Sequence, residues 1–493
     1  MKLKEILERA DGSGRVLRQV QVDAITQIVN NWNPNRHFVL SAPVASGKSL
    51  LLRTIQRVYG GNIITPTNQL VSQYIETYPE LNKLIGAAHY KCPEYLTNCG
   101  VGAARYKCSG GVDSECCYAK AKQSFLDNQP TLLNTMSAYF NKVRHGINND
   151  VNYVDEAHTL CSTVRSLTST TIKFGPTERA ILRKMNIEKR DLVSELKLCE
   201  FLEIKVVKYE ALMKKAKDEQ DQSKYFAVIE NTKFTLEALT NNPEVFITNF
   251  EDGHLRVLPV FAPRKVIDKI LGRTGVLTSG TFMKHDLKEL LGDRPFEYYQ
   301  CDSPIPAHNR QVIYEPVDCS FNYDSIRPDL IALKIMEIYK RRNKQPLFVH
   351  ATYAMSEKLK FYLTGNDVLF HDKVSKIDVV EEFKQKGGLM IGSGLSEGLD
   401  LSGDVCRAQI IIQLSFPNLS DTYVKKRKAL VDGQDWYTAE TAKTFLQAIG
   451  RTSRYPEDYS ETFVLDSRFK YSYQNWVRAG LVPKYVQDSL RGL

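Results

Sequence analysis

The octapeptide Ala42-Pro43-Val44-Ala45-Ser46-Gly47-Lys48-Ser49 restricts the possible folds of this chain more than any other stretch. It follows an apolar run, His37-Phe38-Val39-Leu40, and precedes a helical run from Leu50, the strand-loop-helix setting of a phosphate-binding loop. Backbone N–H groups of such a loop ring a β-phosphate, and the helix N-terminus adds its positive end. In that role Lys48 neutralises β- and γ-phosphate charge and Ser49 ligates magnesium, while Ala42, Ser46 and Gly47 shape the cradle. Ala45 stands where glycine is common, which stiffens the loop and leaves Gly47-Lys48-Ser49 intact. ATP and Mg2+ are the expected ligands.

A loop of this kind needs a parallel α/β sheet, and strand-like runs recur between helical stretches to supply one. They are Asn62-Ile63-Ile64, Val151-Asn152-Tyr153-Val154, Gly275-Val276-Leu277, Leu347-Phe348-Val349, Leu389-Met390-Ile391 and Ala408 to Leu414. With 493 residues, 43% hydrophobic and 25% charged, the chain is a globular protein of several cores rather than a disordered or fibrous one. The start, Met1-Lys2-Leu3-Lys4-Glu5, has no apolar signal core, and no later run has the length of a membrane span, so no membrane partner is expected. A net charge of +9 adds weak support for a polyanionic partner.

The Val151 to Val154 run delivers Asp155-Glu156-Ala157-His158 to a strand end, about 100 residues after the phosphate loop. There Asp155 can hold magnesium and Glu156 can polarise the attacking water. Near the other end of the chain, Gln447-Ala448-Ile449-Gly450-Arg451-Thr452-Ser453-Arg454 places two arginines on one helical face. Either Arg451 or Arg454 can reach a γ-phosphate across a domain cleft as an arginine finger. Lys425-Lys426-Arg427-Lys428 is a possible strand-binding cluster, but a solvated helix face is the reading its composition favours.

Two stretches interrupt the sheet pattern. Of ten cysteines, five fall between Cys92 and Cys117, and Cys92, Cys99, Cys108 and Cys116 follow the pattern C-x6-C-x8-C-x7-C, with Cys117 as an alternative last ligand. Four thiolates suit either zinc or a 4Fe-4S cluster, and spacing does not choose between them. The polar residues among them, such as Asn98, Arg105, Lys107 and Asp113, argue against an ordinary apolar core. Cys161, Cys199, Cys301, Cys319 and Cys406 are scattered and read as structural. Within the second stretch, Cys161 to Thr248, the segment Thr177 to Lys217 has leucine and isoleucine at helical spacing among Lys and Glu, and antiparallel helices are expected there.

Together these motifs resemble the XPD/DinG branch of superfamily 2 iron-sulfur helicases, from about Arg18 to Phe469. Arg18 and Gln21 look like the adenine-reading motif, and Thr65-Pro66-Thr67-Asn68-Gln69-Leu70 resembles the motif that contacts the DNA backbone. Leu277-Thr278-Ser279-Gly280-Thr281 and Val349-His350-Ala351-Thr352-Tyr353 look like the third and fourth motifs of the branch. Ser393 to Asp404, with Glu397, Gly398 and Asp400, is the most specific single match, and Leu414-Ser415-Phe416-Pro417-Asn418 is also particular to this branch.

The resemblance implies two RecA-like parallel-sheet motor domains, with an iron-sulfur insertion and a helical arch insertion in the first. The expected boundaries are 1–85, 123–160 and 249–305 for the first motor domain, 86–122 for the cluster domain, 161–248 for the arch and 306–493 for the second motor domain. It implies a 4Fe-4S cluster at the cysteines, with zinc as the alternative, and nucleic-acid contacts at Thr67, Asn68, Thr352 and Tyr353. It further implies ATP-driven movement, 5′ to 3′, along single-stranded or forked DNA by a monomer. RNA stays open as the strand, and so does an ATP-switched binding factor that does not unwind. The short arch and compact start suit a bacterial or phage-type member. The expected setting is a bacterial or virus-infected cytoplasm, with the nucleus as the alternative.

Overall fold

The protein is described from a computed structural model covering residues 7, 16–91, 116–144, 146, 150–216, 219–241, 246–251, 253–319, 325–371, 376–392, 401, 403–453 and 455–493. In chain order the first strands are β1 (His37–Ser41), β2 (Asn62–Thr65), β3 (Asn82–Leu84), β4 (Thr131–Asn134) and β5 (Val151–Val154). Next come β6 (Thr170–Ile172), β7 (Phe246–Glu251) and β8 (His254–Pro259), then β9 (Thr274–Ser279) and β10 (Phe296–Gln300). Strands β1 to β5, β9 and β10 form one parallel sheet in the order β10-β1-β9-β5-β2-β4-β3.

That order matters because β9 is seated between β1 and β5. The loops after β1, β9 and β5 therefore emerge side by side at the C-terminal edge, where open α/β sheets bind ligands. Helices cover both faces, so each central strand is apolar on both sides. Along β1, Phe38 and Leu40 pack with Ile25, Leu52 and Ile55 on one face, while Val39 packs with Val154, Leu277 and Ile267 on the other.

The second sheet contains β11 (Arg310–Tyr314), β12 (Leu347–His350), β13 (Val368–Phe370), β14 (Leu389–Gly392), β15 (Ala408–Ile411), β16 (Ser460–Val464) and β17 (Leu490–Arg491). Their order is β13-β14-β12-β15-β16-β11-β17, again parallel throughout. The expected pair of RecA-like sheets is present. A long helix, Gly433–Ile449, covers one face of the second sheet and buries Ala439, Ala442, Phe445 and Leu446 against Phe469 and Trp476. Met283 of the first sheet's domain joins this same cluster, so the two domains share apolar contact.

Two expectations about the second insertion need correction. The boundary at Cys161 cuts through the helix Leu160–Thr168, whose Leu160, Cys161 and Val164 are buried in the core of the first sheet. Nor is the insertion purely helical. The long helices Glu195–Lys215 and Glu219–Asn241 pack on each other beside a three-stranded antiparallel sheet, β6-β8-β7, with Ile172, Phe201, Leu202 and Leu255 in a common core. The alternation buried on β8 at Leu255 and Val257 was obscured in the sequence by flanking polar residues. Among the described residues, no helix is long and apolar enough to cross a membrane.

Candidate nucleotide site in the cleft between the two sheets

Gly47 and Ala45 set the shape of the loop after β1, both with left-handed backbone, φ 74° and 69°. Gly47 is required twice over, since a Cβ there would also come within 2.2 Å of the Gln21 amide nitrogen. That amide donates to the Ser46 carbonyl at 2.9 Å, and its Oε1 accepts from the Arg18 backbone N–H at 2.8 Å. The Arg18 guanidinium donates to the Ala45 carbonyl. Arg18 and Gln21 thus brace the loop from outside, and the helix Lys48–Tyr59 starts at its end with Ser49 in its first turn. Ser46 turns inward, its hydroxyl donating to the Pro43 carbonyl at 2.7 Å, while the Ala42 N–H donates to the Ser279 carbonyl on β9 at 2.8 Å.

The Lys48 ammonium lies 3.3 Å from Glu156 Oε1, which links the loops after β1 and β5. Asp155 is buried, and three groups hold its carboxylate. Tyr74 OH donates to Oδ2 at 2.9 Å, and Thr278 Oγ1 and the Glu156 N–H each donate to Oδ1 at 3.0 Å. Burial, and then the neighbouring Glu156 charge, push the Asp155 carboxyl above its usual range. Glu156 goes the other way. Burial opposes its charge, but Lys48 and His158 together hold it well below the ordinary carboxylate range.

One ammonium therefore faces two adjacent carboxylates, Asp155 buried and Glu156 half-buried, an arrangement that leaves room in its charge balance for a divalent cation. The donor set, a buried carboxylate at Asp155 and the Ser49 hydroxyl at the helix start, is hard oxygen chemistry that fits magnesium.

The domain of the second sheet reaches this candidate site through one helix end. Gln447 Nε2 donates to His158 Nε2 at 2.8 Å, which places the His158 ring proton on Nδ1, facing Ser279 Oγ at 2.8 Å and Glu156 Oε2 at 3.4 Å. Three residues on, Gly450 is so close to the loop that a Cβ would come 3.0 Å from Val44 Cγ2. Arg451 follows, close enough to His350 at the end of β12 that its charge, after burial, helps lower that ring to about 4. Gln447 is thus brought to the cleft, and Arg451 to the side of His350 at the end of β12. Arg454, Glu397, Gly398 and Asp400 lie outside the described residues, as do Cys92, Cys99 and Cys108. Cys116 is buried immediately before the helix Cys117–Leu126, and Cys117 is exposed.

The four proposed strand contacts sit at matching places in the two domains. Thr67 caps the helix Asn68–Thr77 after β2, accepting from the Leu70 N–H at 3.3 Å, and Thr352 caps Tyr353–Leu359 after β12, accepting from the Met355 N–H at 3.2 Å. Asn68 accepts from Asn134 and lies 3.0 Å from His89 Nε2, while Tyr353 is partly exposed over His371. The basic run at 425–428 divides. Lys425 and Lys426 are exposed, but Arg427 is buried, forked onto Asp432 at 2.6 and 3.0 Å and lying over Phe261 of the first motor domain. A solvated face describes only half of it.

Sequence reasoning missed Tyr74 and gave His158 no task, although His158 closes the quoted Asp155 tetrapeptide. Tyr74 carries no local signal, because its partner is 81 residues away in sequence.

Comparison with known proteins agrees with this architecture. Residues 335–484 match the helicase C-terminal domain family. ATP-dependent DNA helicase CHL1 of Kluyveromyces lactis is 23% identical over 279 residues, 46% of this chain and 35% of that protein. The regulator of telomere elongation helicase 1 homolog of Drosophila melanogaster is 36% identical over 126 residues, 21% of this chain and 13% of that protein. The chain spans 35% to 39% of the length of the three CHL1 relatives it matches. An XPD helicase structure aligns with a TM-score of 0.61 at 17% identity, covering 94% of this chain and 98% of that one. Xpd4 of S. tokodaii aligns with a TM-score of 0.60 at 16% identity, covering 96% and 100%.

Proposed function

We propose that this chain, an XPD-like superfamily 2 helicase by its fold and its helicase C-terminal domain, hydrolyses ATP between its two motor domains to move along single-stranded DNA and part a duplex. The observation that carries this reading is the bond between Gln447 and His158, because it makes the second domain part of the first domain's nucleotide site. A site that needs both domains converts nucleotide turnover into a change of their separation.

Lys48 supplies fixed positive charge for the phosphates, and the loop N–H groups supply oriented dipoles. Glu156, kept anionic by Lys48 and His158, accepts a hydrogen bond from the attacking water and orients it. Ser49 and Asp155 would hold magnesium, which would supply Lewis-acid stabilisation of phosphate charge. Thr278 ties Asp155 to β9, and Ser279 on the same strand ties it to His158. Arg451 enters from the second domain as the arginine finger, with Arg454 as the other candidate.

The strand crosses the helix starts at Thr67 and Thr352, so that its phosphates meet a backbone N-terminus in each domain. Movement is 5′ to 3′, and the cysteines from Cys92 to Cys116 hold a 4Fe-4S cluster, both by resemblance to the branch. The test is ATP hydrolysis with and without single-stranded DNA, together with unwinding of 5′-tailed and 3′-tailed duplexes. DNA-stimulated hydrolysis that Lys48→Ala abolishes is expected. Stimulation by RNA alone moves the assignment to RNA, and hydrolysis that no strand stimulates overturns the motor reading. Iron and sulfide analysis after anaerobic purification decides between the cluster and zinc.

A further inference from the structure

Beside the nucleotide cleft, and separate from it, the helix Gly433–Ile449 makes a second set of contacts with the first motor domain. Glu440 and Lys443 lie two turns and one turn before Gln447 on the same helix face. Lys443 Nζ is 2.8 Å from Asp286 Oδ1 and 2.6 Å from Glu440 Oε1. His285 Nε2 is 2.6 Å from Glu440 Oε1 and 3.3 Å from Asp286 Oδ1. Two basic and two acidic groups thus interlock across the domain boundary. Asp286 and Lys443 are both buried, with side chains 8% and 9% exposed.

His285, Asp286 and Glu440 bring their ligand atoms within 4.8 Å of one another, a donor set that a divalent cation could use. The Lys443 ammonium already occupies the cation's place between the two carboxylates, so the cluster is closed as an ion-pair network. Both ends of the network are anchored. Asp286 Oδ2 accepts from the Met283 N–H at 3.0 Å, and Met283 itself sits in the apolar cluster of the second domain. On the helix side, buried Gln409 donates to the Ala448 carbonyl at 3.0 Å, fixing the helix end to the second sheet, and Phe445 packs on Phe469 and Trp476.

We propose that the His285, Asp286, Glu440 and Lys443 network is a permanent pivot, about which the helix Gly433–Ile449 swings Gln447 toward and away from the nucleotide. The helix is a stiff lever. Lys443 and Gln447 are four residues apart, about 6 Å along the axis, so a small rotation about Lys443 makes or breaks the single bond to His158. Buried, multiply bonded charges resist separation, because opening them would leave an unpaired charge in an apolar boundary. A neutral, part-buried hydrogen bond such as Gln447 to His158 exchanges with water at little net cost. These four residues are positioning residues, and none contacts nucleotide. The pivot gains its meaning from the two-domain motor proposed above, but its existence is tested without nucleotide.

The experiment places one dye at exposed Leu126 in the first motor domain and another at exposed Phe361 in the second, through non-natural side chains that leave the cysteines untouched. Single-molecule energy transfer is then read without nucleotide. A single docked population is expected for the parent chain. Lys443→Met and Asp286→Asn should each lower the docked-to-open ratio by about 100-fold or more, the scale for stranding one partner of a buried charge pair. Combining them should cost no more than the worse single change, because the two groups act on each other. Glu440→Gln, a milder change for use if Lys443→Met fails to fold, should shift the ratio the same way. Binding of a fluorescent ATP analogue to the first-domain loop should persist in all three, unlike in Lys48→Ala. An unchanged docked population in Lys443→Met or Glu440→Gln, or strictly additive effects, overturns the pivot. If the parent chain hydrolyses no ATP, the motor reading fails, while the energy-transfer result still decides the pivot.

Discussion

Two of the contacts across the boundary between the sheet domains differ in kind. At the nucleotide end, the bond from Gln447 to His158 spans the cleft, and Gly450 lies where an added Cβ would crowd Val44. One to two helical turns away, four ionisable groups close a network in which Asp286 and Lys443 are buried and His285 and Glu440 half-buried. A bond that must be remade in each cycle has to be cheap to break, whereas one that keeps the domains in register has to be expensive. The same helix supplies both.

Asp286→Ala should have the largest effect. It leaves Lys443 and His285 facing Glu440 alone at a buried boundary, with an expected cost of about 3–5 kcal/mol in chemical denaturation of the whole chain. A cost under 1 kcal/mol would erase the contrast between the two ends. Next, Glu156→Gln should reduce ATP hydrolysis by about 100-fold to 1,000-fold, the usual loss for a group that acts on the reacting atoms. Docking measured by energy transfer should not change, because Glu156 lies at the end that opens.

Gln447→Ala should be milder, at about 1 kcal/mol of interdomain affinity, because only one hydrogen bond is lost and water can replace it. Its effect should be seen mainly as weaker coupling of hydrolysis to strand movement. Smallest is the pH response of the network. Burial opposes the His285 charge, but Asp286 and Glu440 hold its pKa above the ordinary value near 6.5. Protonated His285 is thus favoured when docked, and its contribution is full below 6.5 and lost as pH rises through the raised value. Burial also opposes the charges of Asp286 and Glu440, but Lys443 and His285 hold both carboxyls low, so their contribution is lost only as pH falls through those depressed values. Docking should therefore weaken on the alkaline side in the parent chain and lose that slope in His285→Gln. A slope that survives the substitution assigns the titration to another group.

Much of the candidate nucleotide site could be read in the sequence because its chemistry is local. Gly47-Lys48-Ser49 and Asp155-Glu156 are contiguous, and each lies at the end of an apolar run that becomes a strand. The two parallel sheets could be read for the same reason. What could not be read is who meets whom. Tyr74 reaches Asp155 across 81 residues and Lys443 reaches Asp286 across 157, and no periodicity announces such a pairing. Arg427 shows the reverse error, since it sits in a run of basic residues yet is buried by contacts with Asp432, Trp436 and Phe261 that the run does not reveal. The strands of the insertion's small sheet were hidden because they flank long helices whose spacing dominates the segment.

Ala45 has a consequence for how fast nucleotide is taken up. An alanine held at φ 69° is strained by about 1 kcal/mol relative to glycine, and the Arg18 and Gln21 bonds to Ala45 and Ser46 hold it there. A glycine loop would wander among several shapes when empty and settle only on contact with phosphate. This loop has fewer shapes to lose. Arriving phosphate meets a mould already cast, so association should be limited more by encounter than by rearrangement, and the N-terminal residues that resemble a base-reading motif also govern how long that mould lasts.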